Sequence, residues 1–475
     1  MDHFPIENYG GQESPVGLIA FLEDCRQRAQ DLGQPQLVNI SLDVFHIDPL
    51  AILEAVFEPD NHHFYLENPA AENAISAIEK VLETTASGSG RFQAIKSWAS
   101  EVLDSTIYTG NTVSPYCGIH FFCSFNFFDE GQDVPGFPAA QAFVPVWQVS
   151  KKNEFSLAIA NCMIAGDTPI EYVAKRIMGA HQRFSGFPFQ SEAHSGKGVP
   201  FSWIHESECG EAGHFENAVA KATSAIERGD FEKIVLARAV DFEGQENLSP
   251  LLLLDRLRNR FPSCHTFSYS AGSEGAFLGS TPELLVRVQA GRLRADALAG
   301  SIGRGASAGE DAALGGSLLK SDKDAREHRA VVRSIVNRLQ ELNLKPEVAS
   351  KPRLLKLPNL QHLYTPIDAS LPDDVHILDV IERLHPTSAV GGSPRSVACP
   401  RIPEYEAFPR GPYAGPVGWF DARGDGEFVV GIRSGIIRGN RMRLFSGSGI
   451  VKGSVPGKEK EETDLKFKAM RGVMV

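Results

Sequence analysis

The chain has 475 residues, of which 42% are hydrophobic and 22% are charged, a composition typical of a soluble globular protein with a large core. Its 47 basic and 59 acidic residues give a net charge of −12, which argues against non-specific binding to nucleic acid or to an anionic membrane. It has no apolar run long enough to span a membrane and no signal-peptide pattern, and its seven cysteines include no CxxC pair. We therefore expect a cytoplasmic protein with reduced thiols.

In the first part of the chain, short strand-like runs alternate with helical stretches. The strand-like runs are HHFYLENP (62–69), CGIHFFCSFNFFD (117–129) and QAFVPVWQVS (141–150). A segment rich in Gly, Ser and Pro at 181–213 is the best candidate boundary, although a long surface loop inside one domain has the same composition. The chain is therefore divided into an N-terminal part, 1–209, and a second part, 210–475.

The second part combines helices with strands that do not follow a βαβ order. Its predicted elements are a helix (214–229), the strand DFEKIVLAR (230–238), strands at 275–287 and 292–299, a glycine-rich loop (300–316), a long helix (321–343), the strand-like runs FVVGIRSGII and MRLFSGSGIV, and an amphipathic C-terminal helix (458–475). This order predicts an α+β layered architecture.

The strand DFEKIVLAR contains a lysine among apolar residues. Alternation puts Lys233 on one face with Phe231, Val235 and Ala237. Because burial disfavours a charged ammonium, such a lysine either pairs with a carboxylate or is a candidate base. The alternative is that Lys233 lies at the first turn of the strand and extends to water.

The predicted helix 321–343 begins with acids on the face that should be buried. Ser321 and Asp324 have the spacing of a capping motif, and the core-facing stripe continues through Glu327 to Val331. Pairing with the helix dipole accounts for acids in the first turn, but less well for Glu327.

The C-terminal helix repeats this arrangement. Glu459, Glu462 and Lys466 fall on one face at i, i+3 and i+7, and a solvated Glu–Lys pair is the simpler explanation. If the two helices converge, however, their carboxylates would repel one another strongly. A hard cation would relieve the repulsion, and an oxygen-only, partly hydrated site suits Mg²⁺.

Three further features are candidates for substrate binding or catalysis. The glycine turns LAGS (298–301) and SGSG (446–449) allow backbone N–H groups to approach an anion closely, although most such glycines only form turns. Glu283 follows a proline in an apolar context, where a raised pKa would suit a general acid. Arg433 is a cation in an apolar strand, for which an anionic partner is the natural explanation.

Ten motifs in this chain resemble, in order and approximate spacing, those of the chorismate-utilising enzymes, which include anthranilate synthase component I. They are KIVLAR, GSTPELL, ALAGS, KDAREH, QHLYTP, HPTSAVGG, YAGPVGW, IRSG, LFSGSGIV and EKEETDLK. The resemblance is strong over about 210–475, and 1–209 looks like the more divergent half of the same fold. It implies an anthranilate-synthase-component-I-like α+β fold, with two packed, mainly antiparallel sheets, helices outside and a central active-site cleft.

The resemblance also implies residue roles. Lys233 is similar to the family's water-activating lysine, and Glu283 to the acid that protonates the departing C4 hydroxyl. The positions similar to magnesium-site residues are Glu327 and Glu462 as ligands, with Asp324 and Glu459 as outer acidic positions. The positions similar to substrate-pocket residues are Arg433 and Tyr413, which would hold the enolpyruvyl carboxylate, and Gly300, Ser301, His362, Ala389, Gly447 and Lys466. As a lone imidazole, His362 could equally be structural.

Two positions separate the branches of this family. Anthranilate-type ammonia users carry glutamine at the position of Lys233, although the aminodeoxychorismate branch also has a lysine. Amine users and salicylate synthases typically have threonine at the position of Ala389, where isochorismate synthases resemble this chain in having alanine. The resemblance therefore implies a Mg²⁺-dependent isochorismate synthase, an isomerase feeding salicylate or catechol siderophore synthesis, with menaquinone as a further destination.

Three alternatives remain at the sequence level. They are a salicylate synthase, an ammonia-using aminating subunit that needs a glutaminase partner, and a non-catalytic protein that kept the fold. We expect a monomer whose substrate is chorismate, and whose pathway partner is an isochorismate pyruvate-lyase or an isochorismatase.

Overall fold

The structure is a computed structural model that describes residues 15–111, 114–131, 134–185, 201–358 and 360–474. Of the candidate boundary segment, residues 186–200 therefore lie outside the described residues. The α-helices of the described chain are α1 (Pro15–Leu32), α2 (Pro49–Ala55), α3 (Arg91–Asp104), α4 (Ile170–Ser185), α5 (His214–Glu227), α6 (Pro250–Arg260), α7 (Ala308–Lys320), α8 (Asp322–Gln340), α9 (Ile377–Leu384), α10 (Arg395–Ala398) and α11 (Pro456–Arg471).

The strands account for most of the remaining regular structure. They are β1 (Gln36–Asp43), β2 (His62–Asn68), β3 (Asn73–Ala86), β4 (Thr106–Thr109), β5 (His120–Phe125), β6 (Ala140–Lys152), β7 (Phe155–Ile164), β8 (Trp203–Glu208), β9 (Lys233–Gly244), β10 (His265–Ala271), β11 (Ala276–Thr281), β12 (Leu284–Gln289), β13 (Arg292–Gly303), β14 (Glu347–Val348), β15 (Arg353–Lys356), β16 (Leu360–Ser370), β17 (Gly392–Ser393), β18 (Pro416–Asp421), β19 (Gly426–Val430), β20 (Ser434–Arg438) and β21 (Arg441–Val451).

The strands form two layers that are joined through the long strands β3 and β6. In the first layer the hydrogen-bonded order is β4-β1-β7-β6-β3-β2-β10-β11-β20-β21-β9-β8. In the second layer it is β3-β6-β5-β18-β19-β12-β13-β16. Among the described strands, only the β1–β4 pairing is parallel.

Aromatic side chains fill the space between the two layers. The rings of Phe64 on β2 and Phe122 on β5 lie 4.8 Å apart, and those of Phe143 on β6 and Tyr269 on β10 lie 5.8 Å apart. All four residues are fully buried, and tilted or edge-on contacts of this kind add to the stabilisation from burial. Helices α8 and α11 pack on the outside, against β13 and β21. The predicted α+β fold of two packed, mainly antiparallel sheets is confirmed.

Strands from both parts of the chain share these sheets. The first part supplies β2, β5 and β8, which pair with β10, β18 and β9 of the second part. The boundary between 1–209 and 210–475 therefore does not separate two sheets, and it stays a prediction. None of the described helices has both the length and the apolar character needed to cross a bilayer.

The predicted glycine-rich loop at 300–316 is wrong. Strand β13 continues to Gly303, and α7 occupies Ala308–Lys320. The Ser307 side chain caps this helix by accepting from the backbone N–H of Glu310 at 3.2 Å, which offsets the low helix propensity of its glycines. Gly315 is required by packing, because a Cβ there would lie 2.7 Å from the side chain of Gln361.

The apolar pattern of FVVGIRSGII predicts one continuous strand, and this prediction is wrong. The run divides into β19 and β20, and the interruption contains Arg433 in a left-handed conformation with φ +51°. By contrast, the predicted helices at 214–229, 321–343 and 458–475 correspond to α5, α8 and α11.

Candidate active site

A single cavity, walled by β9, β13 and β21 and by helices α8 and α11, brings together twelve of the fourteen predicted site residues. The twelve are Lys233, Glu283, Gly300, Ser301, Glu327, His362, Ala389, Tyr413, Arg433, Gly447, Glu462 and Lys466. Asp324 and Glu459 are not among the residues that line it.

Lys233 begins β9 and faces the cavity. Its Nζ donates to Oε1 of Glu327 on α8 at 2.8 Å, and the two side chains are only 11% and 27% exposed. The lysine thus pairs with a carboxylate inside the protein rather than extending to water. Burial by itself would raise the pKa of Glu327, but the positive charges of Lys233, Lys323 and Lys466 together outweigh burial and the pKa is lowered.

The floor beneath Lys233 is made by a glycine that the sequence reasoning did not single out. A Cβ at Gly449 would lie 3.0 Å from Cε and 3.3 Å from Nζ of Lys233. Glycine at this position therefore leaves the space that the lysine occupies. The SGSG motif contained the signal, but nothing in the sequence showed which of its two glycines lies against which side chain.

The second lysine–carboxylate pair lies on α11. Nζ of Lys466 donates to Oε1 of Glu462 and to the backbone carbonyl of Gly447, each at 2.8 Å. The Glu462 side chain is 43% exposed, so it lies at the open end of the cavity. The carboxylates of Glu327 and Glu462 are thus each held by a neighbouring ammonium.

The two outer acids are held by serine hydroxyls. Asp324 accepts from the hydroxyl of Ser321, whose oxygen in turn caps α8 by accepting from the Asp324 N–H at 3.2 Å. Glu459 accepts from the hydroxyl of Ser448 and is buried. Within the described parts of the chain, no three His, Cys, Asp or Glu side chains group closely enough to hold a metal ion.

Glu283 lies between β11 and β12, and only 4% of it is exposed. Burial raises the pKa of this carboxyl to about 7, and the negative charge of Asp296 acts in the same direction. Lys233, the Thr387 hydroxyl and Arg433 lower the pKa by smaller amounts. Close to neutral pH, a large fraction of Glu283 is therefore protonated and able to donate a proton.

Arg433 and Tyr413 supply polar groups to the opposite wall. Nη2 of Arg433 donates to Nε2 of His362 at 2.8 Å, while Nη1 is buried and has no hydrogen-bond partner among the described residues. Burial lowers the pKa of this guanidinium. The hydroxyl of Tyr413 lies so close to the backbone of Gly447 that a Cβ there would be 3.0 Å from it.

Arg410, which sequence reasoning missed, also reaches the cavity and joins two of its walls. It is fully buried, and its guanidinium donates to the backbone carbonyl of Val390 at 3.0 Å and to that of Val235 at 2.8 Å. Glu406 neutralises it at 2.6 Å. The strand that carries Lys233 is thereby attached to the segment that carries Ala389.

A lysine, a buried protonatable acid, a partly unsatisfied guanidinium and two carboxylates thus share one cavity at the junction of two sheets. These features define an enzyme site for a small anionic substrate. A family profile described as chorismate binding enzyme matches residues 20–475. The chain belongs to the family of chorismate binding enzymes, which confirms the resemblance drawn from its motifs.

Several relatives align along almost the whole chain. A salicylate biosynthesis isochorismate synthase of Pseudomonas aeruginosa is 34% identical over 461 residues, covering 94% of this chain and 91% of the relative. Isochorismate synthase MenF of Bacillus subtilis is 31% identical, with 93% and 94% covered. Isochorismate synthase EntC of Escherichia coli is 32% identical, with 76% and 93% covered.

Solved structures show the same fold. The menaquinone-specific isochorismate synthase MenF from Escherichia coli superposes with a TM-score of 0.77 at 24% identity, covering 96% of this chain and all of that chain. Anthranilate synthase component I from Streptococcus pneumoniae superposes with a TM-score of 0.68 at 22% identity, covering 84% and 92%.

Proposed function

We propose that this protein is a Mg²⁺-dependent isochorismate synthase, which converts chorismate to isochorismate by attack of water at C2 with loss of the C4 hydroxyl. The observation that carries the proposal is the placement of Lys233 and of the buried acid Glu283 in one cavity. The names and near-complete alignments of the Pseudomonas and Bacillus relatives support it.

In this reaction Lys233 acts at C2, where water attacks, and Glu283 acts at C4, where the hydroxyl leaves. Lys233 must be neutral for this step, so its ammonium, which pairs with Glu327, first releases a proton to solvent. The neutral Nζ then accepts a proton from the attacking water, and the water oxygen forms the new bond to C2. The ring double bonds shift, the C4–O bond breaks, and Glu283 gives its proton to the departing hydroxyl. Water enters and water leaves, so the product is an isomer of the substrate, and the acid and base must exchange protons with solvent before the next turnover.

The remaining polar groups bind the two carboxylates of the substrate. The free Nη1 of Arg433 and the Tyr413 hydroxyl are suited to the enolpyruvyl carboxylate, because a guanidinium is a strong donor to carboxylate oxygens. Gly300, Gly447 and Lys466 complete the lining around the ring, and Ala389 places a methyl group rather than a hydroxyl at its position in the wall.

The cavity also suits the proposed magnesium ion. Glu327 and Glu462 give it an oxygen-only pair of carboxylates, and Mg²⁺ is commonly bound by one or two carboxylates together with water and substrate oxygens. These two residues would hold the ion, with Asp324 and Glu459 as the outer acidic positions. When bound, the ion supplies positive charge next to the ring carboxylate of the substrate.

We also propose that the product feeds the synthesis of a salicylate or catechol siderophore. The Pseudomonas relative, which aligns over 94% of this chain, is named for salicylate biosynthesis. The next enzyme would then be an isochorismate pyruvate-lyase or an isochorismatase.

The test is chromatography of purified protein incubated with chorismate, without ammonia, in the presence of Mg²⁺ or of EDTA. We expect a chorismate–isochorismate mixture that forms only with Mg²⁺. Salicylate with pyruvate would instead indicate a salicylate synthase. Conversion only on addition of ammonium would indicate an aminating subunit, and unchanged chorismate under every condition would refute the proposal.

A further inference from the structure

His362 connects two residues of the cavity through its two ring nitrogens. Its Nε2 lies 2.8 Å from Nη2 of Arg433, and its Nδ1 lies 2.7 Å from the hydroxyl oxygen of Ser301. The ring is only 5% exposed, whereas Ser301 is exposed. The contact with Ser301 exists because β13 has a bulge at Gly300, where φ is +77°, and this bulge sets Ser301 directly opposite His362 on β16.

The direction of each hydrogen bond follows from the chemistry of the partners. A guanidinium has only donors, so Nε2 of His362 must accept from Arg433 and cannot carry a proton. In a neutral imidazole the proton is then on Nδ1, which must donate to the oxygen of Ser301. Burial and the nearby charges of Arg433 and Lys466 hold the pKa of His362 well below its usual value, in agreement with a neutral ring.

We infer that His362 is a positioning residue: as the neutral Nδ1–H tautomer it fixes the guanidinium of Arg433 and turns the hydroxyl hydrogen of Ser301 towards the cavity. Because the serine oxygen already accepts a hydrogen bond from the imidazole, its own hydrogen is free to donate to a ligand. The same ring leaves Nη1 of Arg433 as the second free donor.

These two donors define the ligand group that the wall receives. A guanidinium N–H and a hydroxyl O–H, both oriented by one imidazole, match the oxygens of a carboxylate. This assigns the Ser301 hydroxyl to binding of a chorismate carboxylate, an assignment that rests on the proposed function. The direction of the hydroxyl is set by His362, which itself donates nothing to the substrate. Arg433 is held in a left-handed backbone conformation, which a non-glycine residue adopts at an energetic cost and which is often found at functional sites.

Two substitutions separate the two roles of the ring. The side-chain nitrogen of Asn reaches the position of Nδ1, so His362→Asn can keep the donor to Ser301. The side-chain oxygen of Gln reaches the position of Nε2, so His362→Gln can keep the acceptor for Arg433 but loses the donor. We expect Ser301→Ala to raise the dissociation constant for chorismate roughly tenfold in the wild type and in His362→Asn, as for a hydrogen bond to a charged group. In His362→Gln, adding Ser301→Ala should raise the dissociation constant for chorismate less than about twofold. An equal rise of the dissociation constant in His362→Asn and in His362→Gln would overturn the inference.

A second measurement does not depend on substrate. In the full-length protein labelled with ¹⁵N-histidine, the signals of His362 are those absent from both variants. We expect chemical shifts of a neutral ring protonated at Nδ1, unchanged between pH 6 and 8. A ring protonated at Nε2, or an imidazolium, would overturn the inference even if the folded variants bind chorismate too weakly for the comparison above. If the wild type does not bind chorismate, the proposed function fails, but the tautomer result still decides the role of His362.

Discussion

Replacing the proposed acid by its amide, Glu283→Gln, is expected to increase the stability of the protein relative to wild type as pH rises. The folded state holds the pKa of Glu283 at about 7, whereas the solvent-exposed carboxyl of an unfolded chain has a pKa of 4.5. Between these two values the folded state binds a proton that the unfolded state has lost, so the wild-type free energy of unfolding falls as pH rises. The difference of 2.5 pKa units corresponds to roughly 3 kcal/mol in total, of which about 2.5 kcal/mol falls between pH 5 and pH 8. Glutamine does not titrate and therefore removes this loss.

The assay is denaturant unfolding of wild type and variant at pH 5, 6, 7 and 8. The stability of Glu283→Gln relative to wild type should rise by about 2.5 kcal/mol over this range, whatever constant cost the amide adds. Asp311→Asn is the matched control, because Asp311 is also a buried carboxyl but its pKa is lowered by hydrogen bonds from Arg304 and Lys356. Its relative stability should stay nearly constant from pH 5 to 8. Parallel curves for wild type and Glu283→Gln would refute the raised pKa.

The same substitution tests the role of the acid in turnover. Without a proton to give, Glu283→Gln should lower kcat by roughly 10²- to 10⁴-fold while the KM for chorismate changes little. In the wild type, kcat should fall as pH rises through about 7, because the acid is then ionised. An unchanged kcat would remove Glu283 as the acid, and a gain in stability with a loss of kcat would show that the raised pKa serves function rather than folding.

Three further changes test the rest of the cavity. Lys233→Ala is expected to abolish turnover, and circular dichroism and Mg²⁺ titration should show that folding and metal binding remain; normal turnover would reject the base. Glu462→Ala should raise the Mg²⁺ concentration needed for half-maximal activity sharply, so an unchanged titration would dismiss the metal assignment. Gly449→Ala would place a methyl 3.0 Å from the Lys233 side chain and should lower kcat at least tenfold. The control is Gly457→Ala, where a Cβ meets nothing within 4 Å; equal loss in both variants would contradict the packing argument.

The parts of the fold that follow local rules could be predicted from the sequence. The Ser321 cap and the buried stripe of α8 were visible as spacing, and they locate Glu327 on the inner face of that helix. Helix α7 was missed because its glycines favour a loop, while its formation depends on the Ser307 cap and on close packing at Gly315. Local propensity is a weak guide where such tertiary contacts decide.

Contacts between distant segments set the limit for the site itself. The motifs identified Lys233 and Glu327 separately, but their 2.8 Å ion pair joins residues 94 positions apart and has no local signal. The motifs identify the residues, but ion pairing and side-chain packing between distant segments determine which contacts each residue makes.

The break between β19 and β20 shows why the function of Arg433 in particular depends on the fold. An apolar run around an arginine predicts a strand in which the cation needs an anionic partner, and alternation would simply assign it to one face. Instead, the chain leaves the sheet at a left-handed residue, and the guanidinium enters the cavity, where a neutral imidazole occupies one of its nitrogens. Because that imidazole cannot neutralise it, the buried charge remains uncompensated among the described residues that contact it, and the anionic ligand that we propose would supply the missing partner.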